Sequence, residues 1–554
     1  MKSKLIKTVV LLFCVLSEIV NAQNNAQGIL NEENVQLAPV EYRRPKGYDP
    51  IKYRYKYSIK ELGEKYSEKF MERAKQKYDS VQLVIAQGKW KATSESIDAH
   101  QCPEWFQDMK FGMFIDWGLW SVSGWGIHPQ DNRVPVYPDH YEEHMYWLPQ
   151  TISYHEKNWG KDFRRDDFIP LFSDKLYDPG KLVDLAVKSG MKYIIPFAKH
   201  HSGFCLWPSS FTHRNVSEMI SSEKDFIKPI VEGCKKNGLK FGFYFSVEDW
   251  EYPIIDEKGI LGNRLMGGKI VPYDIELETK ASGKIPVKNY AEEYLLPQAV
   301  DAIDRYDPDI LWYDGDWDTK YQALKTYDVA AYYYNQAEGR KEVAVNDRYG
   351  LEGDKMLRSR RGDFFTSEYH DMKDENKQHP WEECRGISQF FGYCWRESDA
   401  NVLTTPELLN QFLKIVSKGG NLLLIVNLDR HGGLPNIQKK RMKDMGKWLE
   451  VNKEGIYGTR AYIVNTENED RVYYTRSKDK ERVYAISMGW PGKQLVLESV
   501  VPQTGSEIYM LGYDKPLLWK TENGKTVIIL PEIMKDKSKR PCDYAYTFRI
   551  HQCL

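Results

Sequence analysis

YDPDILWYDGDWD, residues 306–318, is the stretch whose reading decides the fold. Ile310 to Tyr313 form a short apolar run that ends abruptly in Asp314-Gly315-Asp316-Trp317. Such a run, bounded by turn residues, reads as a strand buried on both faces. A carboxylate at its C-terminal end, followed by glycine, can point into a pocket; the plainer reading is an aspartate that caps a loop. The same design recurs on either side. Phe111 to Ile115 leads into Asp116-Trp117-Gly118, and Tyr193 to Phe197 leads into Lys199-His200-His201. Lys240 to Ser246 and Asn421 to Val426 are further strands of this kind. Helical patterns lie between them at Pro179 to Ser189, Phe226 to Asn237 and Glu292 to Arg305. Strand and helix alternating over about 350 residues predict a (β/α)8-like barrel. An open doubly wound sheet is the alternative, but no GxGxxG follows a strand.

Outside this region the character changes. Tyr57 to Val81 interleaves Glu and Lys with apolar residues at helical spacing, which predicts an amphipathic helix ahead of the barrel. After Gly455, short strands at Arg471 to Thr475, Arg482 to Ser487, Gln494 to Leu497 and Lys525 to Leu530 predict a C-terminal antiparallel β-sandwich. The expected organisation is a signal peptide over 1–22, an N-terminal extension with its helix over 23–98, a barrel over 99–452 and the sandwich over 453–554. The signal reading rests on Lys2, Lys4 and Lys7 before the apolar Val9 to Leu16, then Val20-Asn21-Ala22 as a cleavage site. That run is too short to span a bilayer. A secreted or periplasmic protein is expected, with no membrane insertion after cleavage.

Charge removes other classes. Lys+Arg number 78 and Asp+Glu 79, so no basic excess points to nucleic acid. Aromatics at 13% suit either a large aromatic core or stacking against sugar rings. Seven cysteines follow the signal segment, an odd number without a CxxC pair for zinc. Cys542 and Cys553 are near enough in sequence to bridge. No cofactor and no metal is expected, because adjacent histidines on a strand diverge.

The strand ends gather carboxylates, histidines and tryptophans, without a Ser-His-Asp pattern or phosphate loop. Downstream, Glu368 in FFTSEY (364–369) and Glu382-Glu383 add carboxylates. Two carboxyl groups, aromatic faces and polar groups for hydroxyls are what glycoside hydrolysis needs. The partner expected is an oligo- or polysaccharide.

These residues carry a family resemblance. WFQDMKFGMFIDWG (105–118), KHHSGFCLW (199–207), YDPDILWYDGDWD (306–318) and Val345-Asn346-Asp347-Arg348 follow, in order, the signatures of glycoside hydrolase family 29, the α-L-fucosidases. GGNLLLIV (419–426), EGIYGTR (454–460), YMLGYDKPLLW (509–519) and TVIILP (526–531) resemble that family's barrel end and C-terminal module. The resemblance implies a barrel, a sandwich and a retaining mechanism. It makes Asp314 the nucleophile, His200 and His201 the pair that contacts sugar hydroxyls, and Arg348 an arginine near the ring. Glu368 is the favoured acid/base, with Glu382 and Glu383 as alternatives.

The chain departs from the pattern in its sugar-binding set. Asp116 stands where the family has His in HWG, beside Trp117. Ser202 replaces the Asp of KHHDGF. Asp139-His140-Tyr141 falls where Glu-Trp-Tyr is usual. Fucose is L-galactose without its 6-hydroxyl, and a carboxylate at 116 offers an acceptor for one more hydroxyl. The favoured substrate on this reading is α-L-galactose in algal galactan-like glycans. An ordinary α-L-fucosidase and a non-catalytic sugar-binding relative are the alternatives.

Overall fold

The computed structural model describes residues 37–128, 135–264, 270–272, 277–353, 357–358, 361–369 and 379–552. The expected signal segment and Cys553 lie outside them. Eight parallel strands form the central sheet: β1 (Phe111–Asp116), β2 (Tyr193–Lys199), β3 (Lys240–Ser246), β4 (Ile310–Asp314), β5 (Ala344–Val345), β6 (Phe365–Glu368), β7 (Trp381–Gly386) and β8 (Asn421–Asn427). In space they run β6-β7-β8-β1-β2-β3-β4-β5. The two ends then meet. Asn346, just past β5, bridges Phe364, just before β6, and the Asp363 amide donates to the Val345 carbonyl at 2.9 Å. The sheet therefore curls into a barrel whose strands are buried on both faces, which is why β8 reads as an unbroken apolar run.

The interior is filled by large side chains from neighbouring strands. Tyr193 on β2, Trp312 on β4 and Glu382 on β7 meet there. The Tyr193 hydroxyl donates to Glu382 Oε2 at 2.5 Å and the Trp312 indole donates to Oε1 at 2.9 Å. Gly112 on β1 makes room for this layer: a Cβ there would stand 2.3 Å from the Tyr193 ring.

Five strands are those read from the sequence; β5, β6 and β7 are not. β5 has two residues, too few for any periodicity. β6 and β7 carry Glu368, Glu382, Glu383 and Arg385, so their burial is masked by charge. Glu382 and Glu383 are buried because they are partnered: Glu382 as above, and Glu383 with Arg385 at 2.8 Å.

The amphipathic helix extends from Ile59 to Gln87, longer than expected, and opens with a capping box between Ser58 and Glu61. Its apolar face includes Phe70, Ala74, Val81 and Ile85. Its C-terminal half lies along the helix Thr326–Ala337, where Gln82 donates to Asp328 at 2.7 Å. Among the described residues no helix is long and apolar enough to cross a membrane.

A helix over Asn436–Asn452 leads out of the barrel. Beyond it come β9 (Arg460–Glu467), β10 (Val472–Arg476), β11 (Arg482–Met488), β12 (Gln494–Leu497), β13 (Ile508–Met510), β14 (Leu518–Glu522), β15 (Lys525–Ile529) and β16 (Ala545–His551). They form antiparallel sheets of order β9-β10-β11-β16-β13 and β12-β15-β14, around a core that includes Tyr474, Leu497, Ile528 and Phe548. Polar contacts join this module to the barrel. Arg460 pairs with Asp108 at 2.7 Å, and the Trp448 indole donates to the Ala545 carbonyl at 2.8 Å. Cys102, Cys205, Cys234, Cys384, Cys394 and Cys542 are free thiols.

The tight interior layer makes Gly112 a sensitive position. Gly112→Ala is expected to destabilise the fold by about 1–3 kcal/mol, since the Tyr193 ring must move off Glu382. A lowered midpoint in chemical denaturation, with an unchanged transition slope, checks this.

Candidate active site

Six of the eight strands contribute a polar group to one mouth. Asp116 ends β1, the two histidines follow β2, Ser246 ends β3, Asp314 ends β4, Arg348 follows β5 and Glu368 ends β6. This is the C-terminal face, where a parallel barrel presents its loops and its chemistry.

Arg348 is the hub. Its guanidinium donates through Nη1 to Asp314 Oδ1 at 2.6 Å and through Nη2 to Glu368 Oε1. Nε donates to Thr366 Oγ1 at 2.9 Å, and that hydroxyl donates to Asp347 Oδ1 at 2.7 Å. The planar cation also lies 4.5 Å over the Trp312 ring. Position and plane of the guanidinium are thus fixed from three sides.

Asp314 is largely enclosed, which by itself would raise its pKa. The Arg348 charge and hydrogen bonds from Tyr244, Arg348 and the Gly315 amide outweigh that and hold it below the ordinary carboxylate value. Tyr244, from β3, donates to Oδ2 at 2.8 Å. Sequence reading missed Tyr244, because an aromatic inside an apolar strand carries no sign of facing a carboxylate. Glu368 differs from Asp314 in access: its side chain is 37% exposed, against 13% for Asp314. Glu382 and Glu383 are elsewhere. Both lie near the start of β7, at the opposite end of the barrel from the mouth, and both are tied up as described above. Burial pushes the Glu382 carboxyl up to about 7.

The histidines stand together, against the expectation that neighbours on a strand diverge. β2 ends at Lys199, so His200 and His201 lie in the following turn and their rings are 4.0 Å apart. His201 Nδ1 is 2.6 Å from Ser246 Oγ, whose hydroxyl donates to the Glu248 carbonyl. The serine proton is committed, so Nδ1 carries the imidazole hydrogen and Nε2 is left as an acceptor. Burial first, then the neighbouring His200, His140, Lys199 and Arg348, hold the His201 pKa well below its usual value. Its ring is neutral at neutral pH. His200 Nε2 lies 3.4 Å from Asp139 Oδ2, and its ring packs 4.7 Å from Trp120. His140 stands 5.5 Å from His201, 5.6 Å from Trp250 and 6.1 Å from Trp317.

Three positions differ from expectation. Asp116 is at the site but fully buried. Its Oδ1 accepts from the Trp120 indole at 3.0 Å and its Oδ2 from the Gly392 amide at 2.6 Å. Both oxygens therefore already hold a protein donor. Burial, then the charge of Asp139, raise its pKa well above the usual range. Trp117 points away from the mouth. It stacks on Tyr177 at 4.8 Å, and its indole donates to the Asp429 carbonyl at 2.9 Å, so it is core and no sugar platform. Tyr141 likewise faces the helix behind it, where its hydroxyl meets His155 Nδ1 at 2.9 Å. Alternation explains Trp117: it follows Asp116 directly and takes the other side of the chain. Trp120, three residues on, is buried against the His200 ring at 4.7 Å.

Comparison with known proteins agrees with this arrangement. The family model described as alpha-L-fucosidase matches residues 78–454, and that for the alpha-L-fucosidase C-terminal domain matches 465–551. The tissue alpha-L-fucosidase of Bos taurus is 28% identical over 465 residues, 82% of this chain and 90% of that protein. The plasma alpha-L-fucosidase of Homo sapiens is 28% identical over 474 residues, 83% and 92% of the two chains. Among solved structures, Thermotoga maritima alpha-fucosidase in complex with a mechanism-based inhibitor shares 30% identity at a TM-score of 0.67, covering 84% of this chain and all of that one. With a parallel barrel, an antiparallel C-terminal module and this family match over most of its length, the chain belongs to the alpha-L-fucosidase family and is a glycoside hydrolase.

Proposed function

We propose that the protein is a retaining exo-α-L-fucosidase in which Asp314 is the nucleophile and Glu368 the acid/base. The observation that carries this reading is the single guanidinium of Arg348 holding both carboxylates. An attacking carboxylate must be ionised, and Asp314 is held so by its partners. An acid/base must reach the leaving group and later a water, and Glu368 is the more open of the two. In the first step an Asp314 oxygen bonds to the anomeric carbon, the glycosidic C–O bond breaks, and the departing oxygen takes the Glu368 proton. In the second, water attacks the same carbon, gives its proton to Glu368 and displaces Asp314. His201 Nε2 accepts from a sugar hydroxyl, and His200 and His140 line the same wall.

The sequence favoured α-L-galactose; the relatives named above are fucosidases, and Asp116 already holds two protein donors, so the fucoside reading comes first. A second reading keeps α-L-galactoside. It is supported by Asp139, whose Oδ1 is buried without a hydrogen-bond partner next to Asp116 and His200. An unpaired buried acceptor is costly and suits a ligand hydroxyl.

Asp314→Asn removes the nucleophile and keeps the shape; kcat on an aryl α-L-fucoside is expected to fall by about a thousandfold or more. Retention of a tenth of wild-type turnover would assign the attack to another group.

Glu368→Gln should slow substrates with poor leaving groups far more than activated aryl glycosides. Azide, which needs no general base, should then speed turnover of the activated substrate and yield a glycosyl azide. Equal losses on both substrates without azide product would remove Glu368 from the role.

The sugar itself is decided by kcat/KM for aryl α-L-fucoside against aryl α-L-galactoside. The first reading expects fucoside to lead by about tenfold, which is about 1.4 kcal/mol of transition-state binding. A lead for galactoside that Asp139→Ala abolishes would establish the second.

A further inference from the structure

We propose that His140, His200 and His201 together form a site for a divalent transition-metal ion of zinc type, and that its occupancy excludes the sugar. One ring nitrogen from each imidazole lies within 4.8 Å of the other two. Tetrahedral zinc with Zn–N of about 2.0–2.1 Å sets its nitrogens about 3.4 Å apart, so closure needs shifts of about 1.4 Å at most. His140 can supply that movement. It sits on a single turn of 3-10 helix, Pro138–His140, and is only half-buried.

The chemistry of the donors fits. His201 donates its Nδ1 hydrogen to Ser246 and keeps Nε2 as a lone pair facing the mouth. A metal-binding histidine is usually oriented by this kind of second hydrogen bond. His200 Nδ1 is buried without a hydrogen-bond partner. Two carboxylates lie beside the triad: Asp139 at 3.4 Å from His200 and Asp314 at 3.7 Å from His201. They offset the charge of a dication. Arg348, on the other side of Asp314, opposes it and holds the affinity below that of structural zinc sites. Imidazole donors select zinc or copper over magnesium or calcium, which prefer oxygen.

The exclusion of sugar rests on the proposed role of the histidines as acceptors for its hydroxyls, since a bound ion takes the same lone pairs. Metal binding itself does not rest on that role.

Equilibrium dialysis of the full chain against Zn2+ and Mg2+ tests this without turnover. The expected result is one Zn2+ bound at micromolar free ion, no Mg2+ at the same concentration, and release of the zinc by excess L-fucose. His140→Phe and His140→Gln should each weaken zinc binding by about tenfold or more, as loss of one of three ligands requires, with melting curves showing both variants folded. Zinc bound equally by wild type and either folded variant, or not bound at all, overturns the site. Zinc that fucose does not release overturns the exclusion. A chain that binds zinc as expected yet hydrolyses no α-L-fucoside would count against the proposed activity and leave the metal site standing.

Discussion

The pairing of one buried arginine with two carboxylates is the constraint on which the mouth of this barrel depends. Burying Arg348 without Asp314 and Glu368 would strand a cation in a medium that cannot solvate it, and the reverse holds for Asp314. The three groups come from β4, the segment after β5, and the end of β6, so the ion cluster also ties those strands in register. The Thr366 hydroxyl and Asp347 fix the guanidinium edge, and Trp312 supports its face. Trp312 is in turn anchored by Glu382 deep in the barrel. A chain of direct contacts thus runs from the packed interior to the reactive carboxylate.

The wall beside Asp314 is built from imidazoles and indoles. The turn after Lys199 turns His200 and His201 to the same side, and Ser246 decides which nitrogen of His201 faces the pocket. Trp120, Trp250 and Trp317 surround them. Such a wall offers imidazole nitrogens for hydrogen bonds, and apolar ring faces suit the CH faces of a sugar. Two acids, Asp116 and Asp139, lie behind it. The Trp120 indole and the Gly392 amide satisfy Asp116, and this bond is also what seats Trp120 against His200.

Lengths of apolar sequence bounded by turns were enough to place β1, β2, β3, β4 and β8, because strands buried on both faces must be apolar along their whole length. The same logic hid β6 and β7. Their glutamates look solvent-facing in sequence, yet Glu382 and Glu383 are buried because each has a partner. Glu382 shows the limit most clearly: read as one of a pair of spare carboxylates, it is held by Tyr193 and Trp312, 189 and 70 residues away in the chain.

The sequence by itself determined the barrel, the C-terminal β-module and the carboxylate at the end of β4. Each depends on local pattern: apolar run length, alternation, and a polar residue where a strand stops. Tertiary structure decided which side chains share the mouth. It sent Trp117 and Tyr141 into the core, brought Trp120 and Tyr244 to the site, filled the oxygens of Asp116, and set three imidazoles side by side. Those outcomes depend on the direction in which each chain segment leaves its strand and on donors hundreds of residues away, and neither quantity is written in any local stretch of residues.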